Sequence, residues 1–379
     1  MEAQVFTPDS KRLIVHRSAH PHGRDQHDPA HRYLVCDLDS HGELTPVTDE
    51  TGAVAPSVSP DGQWMYYFVD ETTTGGGRFF LKRVRLDGSG RETLFTIDTP
   101  IPGCGWWASR LYPLSTLSSD GERLVISCYL GDGRQEAAPW GLLVFDLKRA
   151  TMNLILSGPS WCNIHPQYCR STDPEHAHDI MVQENHGNRC EPSGAFIALG
   201  GGAGADIHLI RDNGMHLRTF PWGRDGKEFC QGHQCWIGRT HEAITSTGWG
   251  AGDQLLIQSA AVSDTDHQGL NTPGGVRNVL SRSWPDPHFY HFATDIAGTR
   301  LITDYIPKND SPCYKLYLAT FAANAGDALQ DWTYLLDTQS PVGKRAHTHP
   351  FLSPDGTMVF FNTVADNQLQ ACMVRLNGV

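Results

Sequence analysis

SPDGQWMYYF, residues 59–68, opens on a Pro-Asp-Gly turn and runs into Trp64-Met65-Tyr66-Tyr67-Phe68. Asp-Gly suits a tight hairpin connection, and a β-branched and aromatic run suits a strand. The same signal recurs as TPDSKRLIV at Asp9, SSDGERLVIS at Asp120, STDPEHAHDIMV at Asp173, TDIAGTRLIT at Asp295 and SPDGTMVFFN at Asp355. Spacings of 52, 59, 53, 122 and 60 residues leave one double-length gap, which WIGRTHEAITST around Gly238 divides into 65 and 57. Seven units result. Each holds three or four short antiparallel strands in about 54 residues, the signature of a propeller blade.

The sequence therefore predicts an all-β, seven-bladed β-propeller spanning residues 1–379 as one domain. Blades are expected over residues 1–50, 51–102, 103–157, 158–223, 224–282, 283–340 and 341–379. The last is short, so it either keeps three strands or borrows the amino-terminal EAQVF as a fourth to close the ring. No stretch beyond about ten residues keeps a helical apolar period, which disfavours a doubly wound α/β fold.

Composition narrows the function classes. Lys+Arg 30 against Asp+Glu 42 gives a net charge of −12, which argues against a nucleic-acid or anionic-membrane footprint. No apolar run approaches the roughly 20 residues of a membrane span. The amino terminus lacks the order of a secretory signal. Ten scattered Cys without a C-x-x-C pair do not resemble a disulfide framework. A cytoplasmic protein, monomer or homodimer, is the expectation. The count that stands out is 19 His.

Inner strands of a propeller line the central channel, so residues shortly before each turn converge on the axis. Counting four to eight residues back gives Tyr112, then His165 with Gln167, His233 with Gln234, His288 with His291, and His347 with His349. Imidazoles thus gather in four consecutive blades. His347 and His349, two apart in HTHP, would point the same way on a strand, and His291 lies as far before its turn as His349 does before Asp355. The three suit a divalent ion such as Mn, Zn, Ni or Fe, completed by oxygen ligands or water. The alternative reading is a hydrogen-bonded channel wall with no ion. In blade four, His165 and His186, with Arg170, Arg189 and Arg211 nearby, could receive an acidic group. The run HRSAHPHGRDQHDPAH, with His at 16, 20, 22, 27 and 31, reads as a rim loop.

Two other signals are set aside. ALGGGAGAD, residues 198–206, has no following Lys-Ser/Thr and opens no helix, so it is not a phosphate loop. SGPSW, residues 157–161, lacks the second Gly of a nucleophile elbow.

With these motifs the chain resembles oligogalacturonate lyases, seven-bladed propeller polysaccharide lyases that cleave short pectic fragments. IHPQYCRSTDPEHAHDIMVQENHG, QGHQCW, HFATDIAGTRLITD and HTHPFLSPDGTMVFF carry the resemblance. It implies His291, His347 and His349 as ligands of Mn2+ and His233 as a base in β-elimination from an acidic oligosaccharide. The pattern departs in places. The family's Gln ligand has no counterpart in residues 341–346, and its blade-four Arg falls near Asp206-Ile207-His208, leaving Arg189 or Arg211 as substitutes. His165 joins these as a catalytic candidate, and Tyr112, Gln167, His186 and Gln234 as substrate contacts. Competing functions are a non-catalytic sugar- or protein-binding propeller and a metal-dependent carbohydrate hydrolase or isomerase.

Overall fold

A computed structural model describes residues 4–18, 27–135, 138–198, 204–223, 228–249, 255–262, 277–281, 284, 286–307, 313–322, 329–341 and 347–376. It is a seven-bladed β-propeller with no helix among the described residues. Blade two shows the pattern: Ala53–Val58, Trp64–Thr73, Gly76–Arg85 and Glu92–Ile97, each antiparallel to the next. The sheets of blades three, five and six, over residues 110–158, 228–279 and 289–341, repeat that order. Blade four inserts a small hairpin, Arg189–Cys190 with Phe196–Ala198, between its second and third strands. The outermost strands of blades three and six end at Gly158 and Pro341.

The turn chemistry is the same from blade to blade. In blade two Ser59 Oγ donates to Asp61 Oδ1 (2.5 Å), and Ser59 Oγ accepts from the Trp64 amide (2.9 Å). Thr7 with Asp9, Ser118 with Asp120 and Ser353 with Asp355 repeat it. Gly62, Gly121, Gly298 and Gly356 take the left-handed φ of 67–72° that such a turn demands, and Ser10 fills that position in blade one at 61°.

Ring closure is settled by the amino terminus. Phe6 bridges Leu13, and the Ile14 amide donates to Val5 O (2.8 Å). Residues 4–6 are therefore the inner segment of blade one, ahead of Arg12–Arg17, as the repeat requires. Blade seven keeps three strands, Phe351–Leu352, Met358–Ala365 and Gln368–Arg375. Among the described residues the first and last blades meet through side chains, with Phe6 edge-on to Phe351 and Phe360.

Stability resides between blades. One face of blade two (Val54, Phe68, Phe79, Leu81) packs on Leu117, Ile126, Leu143 and Phe145 of blade three. Burying each such side chain contributes roughly 1.5–3 kcal/mol. Middle strands are covered on both faces: Trp140–Asp146 is buried at every residue, whereas the outermost strand Thr151–Gly158 is not. All ten Cys are free thiols, six of them buried.

Candidate metal and catalytic centre

One hydrogen bond defines the register of every inner strand. The amide that closes each turn pairs across the hairpin: Ser59 to Trp64, Ser118 to Arg123, Cys169 to Asp179, Ile237 to Glu242, Asp295 to Arg300 and Ser353 to Met358. Four residues before each of these lies the same rung of the channel wall. It is occupied by Ala55, Leu114, His165, His233, His291 and His349 in blades two to seven. Four consecutive blades thus carry imidazole at one level. Ring centroids step round the channel at 6.3 Å (His165 to His233), 4.4 Å (His233 to His291) and 4.1 Å (His291 to His349).

The rung is also where the inner strands bulge. The ladder skips between Val54 and Ser57, Leu111 and Ser115, Cys230 and Gln234, and Phe289 and Phe292, placing Ala55, Tyr112, His233 and His291 in the extra segments. A bulge breaks the alternation of side chains and re-aims one of them. Blade seven does the same: the Asn362 amide bonds Thr348 O while Phe351 pairs with Phe360. His347 and His349 precede the strand and His349 has φ 41°, so the alternation expected for them does not apply. Their rings nonetheless stack at 5.4 Å and 16° because the left-handed residue turns the chain.

His291, His347 and His349 each offer a nitrogen within 4.8 Å of the others'. His291 is 1% exposed and doubly held by Asp304 of the next strand: the His291 amide donates to Oδ1 and Nδ1–H donates to Oδ2, both at 2.7 Å. That fixes the tautomer with Nε2 directed at His347 Nδ1, 3.4 Å away. A carboxylate behind a histidine is the usual outer shell of a metal ligand. His349 Nδ1 is buried with no hydrogen-bond partner, which a cation in the cluster would supply. The residues fit a divalent ion.

Burial sets the charges. It pushes the Asp304 carboxyl up to about 7, and it holds His233, His291 and His349 well below the ordinary histidine range, with repulsion between the rings adding to it. These imidazoles are neutral at neutral pH, as ligands and bases must be. His233 Nδ1 lies 3.2 Å from Tyr290 O. A carbonyl only accepts, so Nδ1 carries the hydrogen and Nε2 keeps a lone pair. His165 pairs through Nδ1 with Gln183 Oε1 (2.9 Å), and burial lowers its pKa to about 4. Tyr112 donates to Asn163 Oδ1 and sits 5.8 Å from the His165 ring.

Other candidates lie elsewhere. Gln167 and Gln234 are buried in the seam between blades four and five: Gln167 Nε2 donates to Gln234 O (2.9 Å), and Gln234 Nε2 reaches His165 O (3.5 Å). Arg211 is at the turn end of blade four, its Nε 3.3 Å from Asp179 and a further N–H on Glu175 O. Arg170 bonds Trp236 O and Thr294 Oγ1. Arg189 is exposed on the inserted hairpin. His186 pairs with Asp206 at 3.0 Å. His20, His22, most of the glycine-rich loop and residues 342–346 lie outside the described residues. At the turn end lies a cavity of about 230 Å3 lined by Phe6, Pro60, Ser119, Arg170, Arg239 and Pro354, with no imidazole among the described residues of its wall.

No family model matches the chain, and no curated protein matches it in sequence. Solved structures do match in fold. An oligogalacturonate lyase from Vibrio parahaemolyticus has 16% identity and a TM-score of 0.68 over 99% of this chain and 89% of that one. An oligogalacturonate lyase in complex with manganese has 17% identity and a TM-score of 0.67, over 99% and 88%. The β-propeller domain of the Trilobed protease from Pyrococcus furiosus, with an open velcro topology, has 11% identity and a TM-score of 0.51, over 86% of this chain and 83% of that one. At such identities the likeness is one of fold, and propellers of quite different proteins share it.

Proposed function

We propose that the chain is a metal-dependent lyase that cleaves a short uronate-containing saccharide by β-elimination. The observation that carries this reading is the single rung on which a neutral imidazole with a free Nε2, His233, stands 4.4 Å in ring centroid from His291 of a three-histidine ion cradle. The fold likeness to oligogalacturonate lyases, one of them a manganese complex, supports the same direction.

His291, His347 and His349 would hold the ion, with Mn2+ first and Zn, Ni or Fe as alternatives. When bound it neutralises the substrate carboxylate and so eases loss of the adjacent proton. His233 Nε2 takes the C5 proton of the uronate; the freed electron pair forms the C4–C5 double bond, the C4–O bond breaks, and the leaving sugar oxygen takes a proton from solvent, to which His233 then returns the one it gained, so that no proton is gained or lost overall. Tyr290 O keeps His233 in the tautomer that can accept. Asp304 keeps His291 in place, and the Gln183 contact sets the ring of His165, which with Tyr112 lines the neighbouring wall. Water is not consumed.

The test is to incubate manganese-loaded protein with a panel of uronic oligosaccharides and follow the ultraviolet absorbance of the unsaturated product. A rise, with product masses that sum to the substrate without added water, is expected. Absence of any rise across the panel with the metal bound overturns the reading.

A further inference from the structure

Blade four carries a second cluster, on the side of the sheet away from the channel histidines. The strands Asp179–Asn185 and Ala205–Arg211 place Glu184 directly opposite Asp206, and Val182 opposite His208. Two carboxylates facing each other across a ladder repel unless a cation lies between them. Both side chains are 20% exposed. His186 Nε2 stands 3.0 Å from Asp206 Oδ2, and ligand atoms of Glu184, His186 and Asp206 all lie within 4.8 Å of one another. Ser160 Oγ donates to Glu184 Oε1 (2.5 Å), which orients the carboxylate and leaves Oε2 facing inward.

An independent observation comes from His208. It is 4% exposed, fixed by Nδ1 against Thr219 Oγ1 (2.8 Å) and edge-on to Trp161. Its Nε2 is 3.2 Å from Glu184 Oε2 but off the line of a good hydrogen bond, so a buried ring nitrogen is aimed at the cluster and only poorly satisfied by it.

We propose that Glu184, His186 and Asp206, with His208 beside Glu184, form a second divalent-metal site. A set of two carboxylates and imidazole nitrogen suits zinc or a neighbouring transition metal better than calcium, which takes oxygen ligands. Gln183, between Glu184 and Val182, faces the other way and bonds His165. The cluster therefore lies on the face of blade four turned away from His165, in a different blade from the His291, His347 and His349 cradle, and it does not depend on the lyase reading.

The test counts ions. Metal-free protein is dialysed against Zn2+, and bound zinc is measured by elemental analysis in four forms: wild type, a His291→Ala/His347→Ala/His349→Ala variant, a Glu184→Gln/Asp206→Asn variant, and their combination. The triple-histidine variant should keep one ion per chain, and the combination should lose it. If the triple-histidine variant binds none, or the combination binds as much as it, the site is overturned. Should Glu184→Gln/Asp206→Asn fail to fold by circular dichroism, His186→Ala in the triple-histidine background replaces it. His186 is 39% exposed, and its loss should weaken zinc by at least the roughly 10–100-fold that outer-shell changes cost. Unchanged zinc affinity in that variant also overturns the proposal.

Discussion

Ala55 in blade two and His349 in blade seven stand on the same rung, four residues before the turn-closing amide, and both are left-handed, with φ of 54° and 41°. Around Ala55 the wall is sealed by small polar groups: Ser115 Oγ donates to Ala55 O (2.7 Å) and lies 2.8 Å from Ser57 Oγ. Around His349 the wall is imidazole. A left-handed L-residue costs roughly 1–2 kcal/mol, and a strained residue in a site invites a functional explanation. Blade two removes that inference. The strain occurs with and without chemistry: Ala55, His165 (at 46°) and His349 are left-handed while Leu114, His233 and His291 on the same rung are not, so what the rung can do comes from which side chain it aims.

The comparison breaks most visibly at His233. Removing a general base lowers turnover by about 10²–10⁴-fold. His233→Ala should show that loss in the absorbance assay while titrations still detect saccharide and metal binding. Loss of binding in step with turnover would instead describe a sugar-binding wall. Leu114→Ala, on the same rung in blade three, should leave the turnover within a factor of a few.

pH separates the two walls next. His165 has a folded pKa of about 4, against about 6.5 for an unperturbed histidine. Below 6.5 the unfolded chain takes up a proton that the folded chain refuses, so stability falls as pH drops from about 6.5 to 4 and is flat in this term below that. The loss reaches about 3 kcal/mol for this one residue. Ala55 contributes nothing, having no proton to bind. Denaturant midpoints of wild type and His165→Ala between pH 7.5 and 4.5 check this. Equal pH slopes for the two proteins would show that His165 is not held neutral by its burial.

Asp304 shows what the sequence concealed. The repeat spacing located the blades, and counting back from each turn reached His165, His233, His291, His347 and His349, because a turn sets the register of the strand before it. What it could not reach was the bulge, an extra residue with no composition signal of its own here. Without it, Asp304 has no reason to face His291. With Phe289 paired to Tyr305 and Phe292 to Thr303, Asp304 is left opposite the two-residue bulge, where it bonds both N–H groups of His291. The same ignorance made Gln167 and Gln234 look like channel residues, though blade-to-blade packing buries them in the seam. Asp304→Asn keeps the shape and removes one acceptor. It should weaken metal binding at the histidine cradle by roughly 10–100-fold. Isothermal titration with Mn2+ measures it, and an unchanged Kd would reduce Asp304 to a packing residue.

The smallest effect tests the premise of the comparison. If the left-handed backbone at Ala55 and His349 is set by the chain path rather than by the side chain, glycine should be tolerated in both blades. Relief of the left-handed φ, roughly 1–2 kcal/mol, is offset by the unfolded-state entropy of glycine, roughly 0.5–1 kcal/mol, and in Ala55→Gly by a lost buried methyl of about 0.8 kcal/mol. Metal-free Ala55→Gly should therefore lie within about 1 kcal/mol of wild type in denaturant unfolding. In His349→Gly the backbone contributions are the same, and removing the ring also removes a buried Nδ1 that has no partner, so its metal-free stability should stay close to wild type as well. The two part only when metal is added. At a hundred times its Kd an ion that binds only the folded state adds about 2.7 kcal/mol. Wild type and Ala55→Gly should gain that, and His349→Gly should not. An Ala55→Gly variant destabilised by several kcal/mol would show that the bulge is held by its side chain rather than by the chain path, and the equivalence of the two blades would fail.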